Sequence, residues 1–276
     1  MKAIEIENVT YKYQDGTTAL NELCLIIPMG AKVALLGPNG AGKSTLLHHL
    51  NGLKLPQSGD VKIMDLPLTK RNLKEIRKKV GLVFQDPDDQ VFSSTVIEDV
   101  QFGPRNLGMT EEEIEDVSRA SLGSVGMLEF KEKPPFHLSY GQKKRVAIAG
   151  ILAMKPDIVV LDEPMSYLDP QGKDEIAALL QGLNIMGKTI LLSTHDVDFA
   201  ASWADMIILM KDGKILATGG PELLVKEECI REAKLHLPTI ARLFRMLNVD
   251  PLPLNEQEAI RVLYRMMEDK EGVSEL

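Results

Sequence analysis

The segment "GPNGAGKST", Gly37 to Thr45, matches the spacing G-x-x-x-x-G-K-[ST] and lies between an apolar run, "AKVALL", and a segment of helical character. That pattern suits the binding of a chain of phosphates. Gly40 and Gly42 allow the backbone to curl so that successive N–H groups face inward, with Gly37, Pro38, Asn39, Ala41 and Thr45 completing the cradle. Lys43 neutralises the outer phosphates, and the Ser44 hydroxyl is a ligand for Mg²⁺. A second group of reactive residues closes the run "IVVLDEP". A carboxylate is costly to bury without a cation or other partner, so Asp162 is expected in the Mg²⁺ shell. Glu163 is then expected to face the terminal phosphate and to accept a proton from an attacking water. A third group stands in "HLSYGQKKRVAIAG", where Ser139 and Gln142 have the spacing of a capping box that opens a helix. The positive end of a helix also holds anions, so one chain carries two devices for phosphate.

These residues need a scaffold that brings distant segments together. Strands are expected over "AKVALLG", "GDVKIMD", "DIVVLDE" and "TILLSTHD", and helices after Lys43, over "LKEIRKK" leading into a strand that stops at Gln85, and over "GKDEIAALLQGL". Strand and helix alternate, which predicts an α/β fold with parallel pairing. Asp15-Gly16 and Asp212-Gly213 read as hairpin turns. From Asp86 to Pro135 the pattern is helical, with a Thr110/Glu113 capping box, and together with the helix after Ser139 it predicts a helical subdomain over about 86–155. His48 and His49 follow the phosphate cradle on a helix and read as packing residues.

Beyond Pro221 the chain turns to helices interrupted by "NVDPLPLN". Ile240, Leu243, Phe244 and Leu247 lie at i, i+3, i+4 and i+7, and Ile260, Leu263, Tyr264 and Met267 repeat that spacing after an Asn255/Glu258 cap. The division expected is an α/β unit over 1–222 and a helical extension over 223–276. Its apolar stripes have two readings: packing back onto the same chain, or pairing with a second copy.

Among the 276 residues, a net charge of −8 provides no global field for nucleic acid. Cys24 and Cys229 show no metal or redox spacing and fit a reducing compartment. The N-terminal "MKAIEIENVTYKY" alternates like a strand and lacks the core of a secretion signal, and no run approaches the roughly 20 apolar residues of a spanning helix. The chain is expected in the cytosol, with any membrane association made through a partner.

The order of these motifs resembles that of an ATP-binding-cassette ATPase over residues 1 to about 222. Gly37–Thr45 stands where the family has Walker A, Asp162 and Glu163 where it has Walker B, and "LSYGQ" where it has its signature. Gln85 matches the Q-loop glutamine, His195 in "STHD" the switch histidine, Asp169 in "SYLDP" the D-loop aspartate, and Tyr13 the aromatic stacked on adenine. The resemblance implies a P-loop NTPase cassette with an antiparallel β-subdomain and a helical subdomain, using ATP and Mg²⁺. It implies catalytic roles for Glu163, His195, Gln85 and Lys43, with His195 on the γ-phosphate. Gln85 joins Ser44 and Asp162 around Mg²⁺ and links them to the helical subdomain and a transmembrane partner. It also implies that Ser139, Gly141 and Gln142 contact the nucleotide of a second subunit in a head-to-tail dimer, so that the second phosphate device completes a neighbour's first. Tyr140 and Tyr167 depart from the family pattern, Tyr140 where glycine is usual. A bulky residue there implies a backbone that avoids φ > 0.

Two longer stretches, "FQDPDDQVFSSTVIEDVQFGPRNLG" and "LSYGQKKRVAIAGILAM", are similar to the ATPase subunits of energy-coupling-factor importers, especially those linked to cobalt or nickel uptake. Implied partners are a second ATPase subunit, identical or paralogous, a transmembrane coupling subunit and a membrane substrate-binding subunit. The alternatives are an export ATPase and a soluble cassette that clamps nucleic acid or a ribosome. One cassette, no sustained heptads and an acidic balance weigh against the clamp.

Overall fold

Apolar residues placed on both faces of short strands require cover on both sides, and the chain supplies it with a second sheet on one face and helices on the other. The computed structural model describes residues 1–271. Its elements are β1 (Lys2–Lys12), β2 (Thr18–Pro28), β3 (Lys32–Leu36), α1 (Lys43–Leu50), β4 (Ser58–Ile63), β5 (Leu66–Pro67), α2 (Leu73–Lys79) and β6 (Val80–Val83). There follow α3 (Val96–Leu107), α4 (Glu111–Ser124), α5 (Tyr140–Leu152), β7 (Ile158–Leu161), α6 (Pro170–Ile185), β8 (Thr189–Ser193), α7 (Val197–Trp203), β9 (Met206–Lys211) and β10 (Lys214–Gly219). The chain continues with α8 (Glu227–Glu232), α9 (Thr239–Met246) and α10 (Glu256–Glu271).

The main sheet has the order β10-β9-β3-β8-β7-β6, with β9, β3, β8, β7 and β6 parallel and β10 antiparallel at one edge. The smaller sheet, β2-β1-β4-β5, is antiparallel. Alternation along β3 sends Val33 and Leu35 into the core between the two sheets, and Ala34 and Leu36 into the core beneath the helices. Both hairpin turns form where expected, with Gly16 at φ +87°, Asp212 at +49° and Gly213 at +76°.

The helical subdomain consists of α3, α4 and α5, each opened by a capping box: Thr95/Glu98, Thr110/Glu113 and Ser139/Gln142. In the extension Leu223, Leu224, Ile230 and Ala233 are part of the core beneath the helices. The Thr239 backbone N–H and hydroxyl both donate to the Asp198 carboxylate on α7, at 2.6 and 2.8 Å, which ties α9 to the cassette. The apolar stripes divide. Ala241, Phe244 and Ala259 are buried against the chain, while Leu243, Leu247, Ile260, Leu263, Tyr264 and Met267 are exposed. Among the described residues no helix is long and apolar enough to cross a membrane.

Candidate functional site

Four neighbouring parallel strands, β3, β8, β7 and β6, end on the same edge of the main sheet. The residues that follow them are the Gly37–Gly42 loop, Thr194 and His195, Asp162 and Glu163, and Phe84 and Gln85. The carboxyl ends of parallel strands are where an open α/β sheet leaves room for a ligand. Parallel register therefore gathers segments spread over more than half the chain.

In the cradle Gly40 and Gly42 lie at φ +79° and +100°. At Gly42 a Cβ would also come within 2.3 Å of the Ala19 carbonyl oxygen, so any side chain is refused there. No side chain caps α1, which leaves its first N–H groups for a ligand. Lys43 Nζ donates to the Gly37 and Pro38 carbonyls at 2.8 and 3.2 Å. Burial pulls the Lys43 pKa below its ordinary value, against the charges of Glu163 and Asp162.

Asp162 and Glu163 are both buried, and one hydroxyl organises them. Ser193 Oγ donates to Asp162 Oδ1 at 2.5 Å and accepts from the Glu163 N–H at 2.8 Å. Glu163 is held at φ +47°, an unfavourable region for a residue with a Cβ, and strain of this kind gathers at functional sites. Its Oε1 lies 3.0 Å from His195 Nε2, and Ser166 Oγ contacts Oε2 at 3.5 Å. Burial pushes the Glu163 carboxyl above its ordinary pKa, opposed by His195 and Lys43 and reinforced by Asp162. A raised carboxyl is a better proton acceptor, which suits a general base. Among the described residues no hydrogen-bond donor is aligned on buried Glu163 Oε1, so the atom is free to receive one from a bound ligand or water.

Tyr13 stands at the rim of the cradle, its hydroxyl 2.8 Å from Thr45 Oγ1, with Lys54 Nζ 4.9 Å from its ring centre. Behind it Tyr11 meets both Tyr13 and His49 edge-on. His49 is buried with Nδ1 2.7 Å from the Thr45 carbonyl oxygen, a packing position as expected; His48 packs edge-on against Phe84.

Ser139, Gly141 and Gln142 are not brought to this edge. They line a separate cavity of about 430 Å³ with Arg145, Tyr167 and Asp169, and none of the cradle residues faces it. Tyr140 is the first residue of α5 and has no positive φ, in keeping with its side chain. Tyr167 is at φ +63° and meets Tyr140 edge-on at 5.4 Å. The two departures from the family pattern are thus in contact with each other.

Sequence reasoning missed Ser193 and Lys144. Ser193 is a hydroxyl that closes β8 directly after the apolar run Ile190–Leu192, and that position was the visible signal. Lys144 is fully buried on the apolar side of α5, where its Nζ donates to the carbonyls of Gln85 (2.8 Å) and Glu163 (3.1 Å). Burial lowers its pKa to about 8. The signal was a lysine four residues after Tyr140, in line with the apolar residues of the helix.

A family model described as ABC transporter matches residues 20–166. The energy-coupling factor transporter ATP-binding protein EcfA of Carboxydothermus hydrogenoformans is 49% identical over 96% of this chain and 98% of its own length. The protein of the same name from Methanocaldococcus jannaschii is 51% identical over 92% of each chain. Among solved structures, cbiO1 of Clostridium perfringens, described as part of the ABC transporter complex cbiONQ, superposes with a TM-score of 0.75 at 38% identity, covering 90% of this chain and 99% of the other. A dimeric ATP-binding cassette in a post-hydrolysis state with ADP and Pi superposes with a TM-score of 0.73 at 33% identity, covering 79% of this chain and 98% of the other. The chain belongs to the ABC transporter family of ATPases and, within it, to the energy-coupling-factor ATP-binding proteins.

Proposed function

We propose that this chain binds ATP with Mg²⁺ at the strand-end site, hydrolyses it within a head-to-tail dimer, and so powers a membrane importer of cobalt or nickel ions. The observation that carries the reading is the separation of the phosphate-binding groups into two places on one chain, the cradle at one and the Ser139 end of α5 at the other. Two chains placed head to tail make both sites whole.

In that dimer the cradle N–H groups and Lys43 hold the phosphates, Tyr13 stacks on the base, and Ser139, Gly141 and Gln142 of the other subunit close over the terminal phosphate. Glu163 takes the proton of the attacking water, and His195, whose Nε2 lies 3.0 Å from Glu163 Oε1, reaches the γ-phosphate. Ser44, Asp162 and Gln85 would hold Mg²⁺, whose charge offsets that of the phosphate oxygens. Two uncharged side chains and one carboxylate suit a cation that shares its shell with water and substrate phosphate.

A groove of about 800 Å³ lies beside Gln85, lined by Phe84, Phe92, Phe102, Leu107 and Ile151. Phe92 and Phe102 are exposed and meet edge-on. We assign it to an amphipathic helix of the transmembrane coupling subunit, since it is continuous with the loop that carries Gln85. The chain would then sit peripherally on the cytoplasmic face. A membrane substrate-binding subunit would select the ion, and nucleic acid has no part. The outward stripes of α9 and α10 pair with those of the second subunit.

The test is reconstitution with the membrane partners in vesicles. ATP supplied on the cassette side should drive uptake of Co²⁺ or Ni²⁺, and Glu163→Gln should abolish it. ATP-dependent efflux of either ion, or hydrolysis without ion movement, would reject the importer assignment.

A further inference from the structure

We propose that Tyr140 and Lys144 are positioning residues that tie the anion-binding end of α5 to Gln85 and Glu163 of the same chain, so that engagement of the partner's nucleotide sets the geometry of this chain's own site. The proposal rests on the head-to-tail dimer described above.

Three hydrogen bonds carry it. The Tyr140 hydroxyl donates to the Gln85 carbonyl at 3.0 Å, and Lys144 Nζ donates to that same oxygen at 2.8 Å and to the Glu163 carbonyl at 3.1 Å. Tyr140 and Lys144 are one turn apart on one face of α5, with the ammonium 5.6 Å from the tyrosine ring centre. A helix moves as a unit, so a displacement of its first turn pulls on both anchor points. Those points are the backbones of the two residues whose side chains must be aimed, and Glu163 already stands at φ +47°. A small rotation at either carbonyl changes where the attached side chain points.

Chemistry singles out the same residues. A methionine would fill the space of Lys144 without the desolvation of an ammonium, so what lysine adds is the pair of bonds to carbonyl oxygens. Tyr140 adds a hydroxyl that a phenylalanine of nearly equal size would lack. Tyr167, exposed and edge-on to Tyr140, extends the connection to the segment bearing Asp169, beside the cavity that Ser139 lines. The path therefore runs from the surface offered to the partner subunit, through α5, to both catalytic residues.

The experiment measures ATP hydrolysis by the assembled transporter as a function of ATP concentration for Tyr140→Phe, Lys144→Met and Lys144→Gln. Tyr140→Phe should lower kcat about three- to tenfold, the worth of one hydrogen bond, with the KM for ATP within about twofold of native. Lys144→Met should lower kcat at least about tenfold, and Lys144→Gln, which keeps an amide donor, should recover part of the loss. The native Hill coefficient for ATP should exceed 1 and fall toward 1 in Tyr140→Phe. If Lys144→Met does not fold, Tyr140→Phe, which removes a single oxygen, decides the matter alone. A native kcat and Hill coefficient in Tyr140→Phe, whatever happens to thermal stability, would make the residue merely structural and overturn the proposal. Glu163→Gln in the same assay separates the two readings, because hydrolysis at the native rate there would reject Glu163 as the base regardless of Tyr140.

Discussion

Ser193→Ala removes one oxygen that serves two partners. The hydroxyl donates to Asp162 Oδ1 at 2.5 Å and accepts from the Glu163 N–H at 2.8 Å, and all three residues are buried. A hydrogen bond to a charged group contributes about 1.5–3 kcal/mol, and leaving a buried N–H unpaired costs about 1–3 kcal/mol. The space of one hydroxyl is too small for a replacing water. Together these span about 2.5–6 kcal/mol with about 4 kcal/mol in the middle, which for a chain of this size lowers the thermal midpoint by about 8 °C or more. Asp162 also loses the donor that fixes its orientation, so the Mg²⁺ concentration at half-maximal hydrolysis should rise about tenfold, as when partners of metal-ligating carboxylates are removed. Scanning calorimetry and ATPase assays across a Mg²⁺ series measure the two effects. A midpoint within about 1 °C of native with an unchanged Mg²⁺ requirement would refute the role given to Ser193.

Three further outcomes follow from the geometry. Mixing Lys43→Ala with Ser139→Ala should restore part of the activity that each lacks alone, because one site of the mixed dimer carries both lesions and the other none; activity no higher than that of the separate variants, with mixed dimers verified, would count against composite sites. Leu243→Glu with Tyr264→Glu, both exposed, should leave nucleotide binding intact but turn a nucleotide-free dimer into monomers by light scattering, and an unchanged mass would return the stripes to another role. Burial raises the Asp99 carboxyl above its ordinary pKa of 3.8 against the Phe92 and Ser93 N–H groups, so native stability gains from protonation as pH falls through the raised value. Asp99→Asn lacks that gain, and its stability relative to native should decline between neutral pH and about 4 in urea unfolding; a difference that does not change with pH would contradict the assignment.

The strand-end residues were legible because each belongs to a local signal: a glycine pattern after an apolar run, an acidic pair closing one, a histidine after another. The capping boxes of α4 and α5 were legible for the same reason, being complete within four residues. What escaped depends on strand order. Ser193 meets Asp162 only because β7 and β8 are neighbours in register, and nothing near residue 193 announces that. Lys144 meets Gln85 and Glu163 across two other elements, and the contact of Tyr140 with Tyr167 is equally non-local. The stripes of α9 and α10 showed which residues share a helix face but not how much of that face the cassette covers. Phe244 is buried and Leu243 exposed, one residue apart.

The most direct measurement is the mass of Glu163→Gln, carried in the Leu243→Glu/Tyr264→Glu background that removes the stripe pairing, in solution with and without ATP and Mg²⁺, read by light scattering beside its turnover. The carboxamide keeps the volume and the binding groups but cannot take the proton, so turnover should fall by about 10² or more while a stable ATP-bound dimer accumulates. Hydrolysis near the native rate, or a variant that binds ATP and remains monomeric, would contradict Glu163 as the base of a site completed by a second chain.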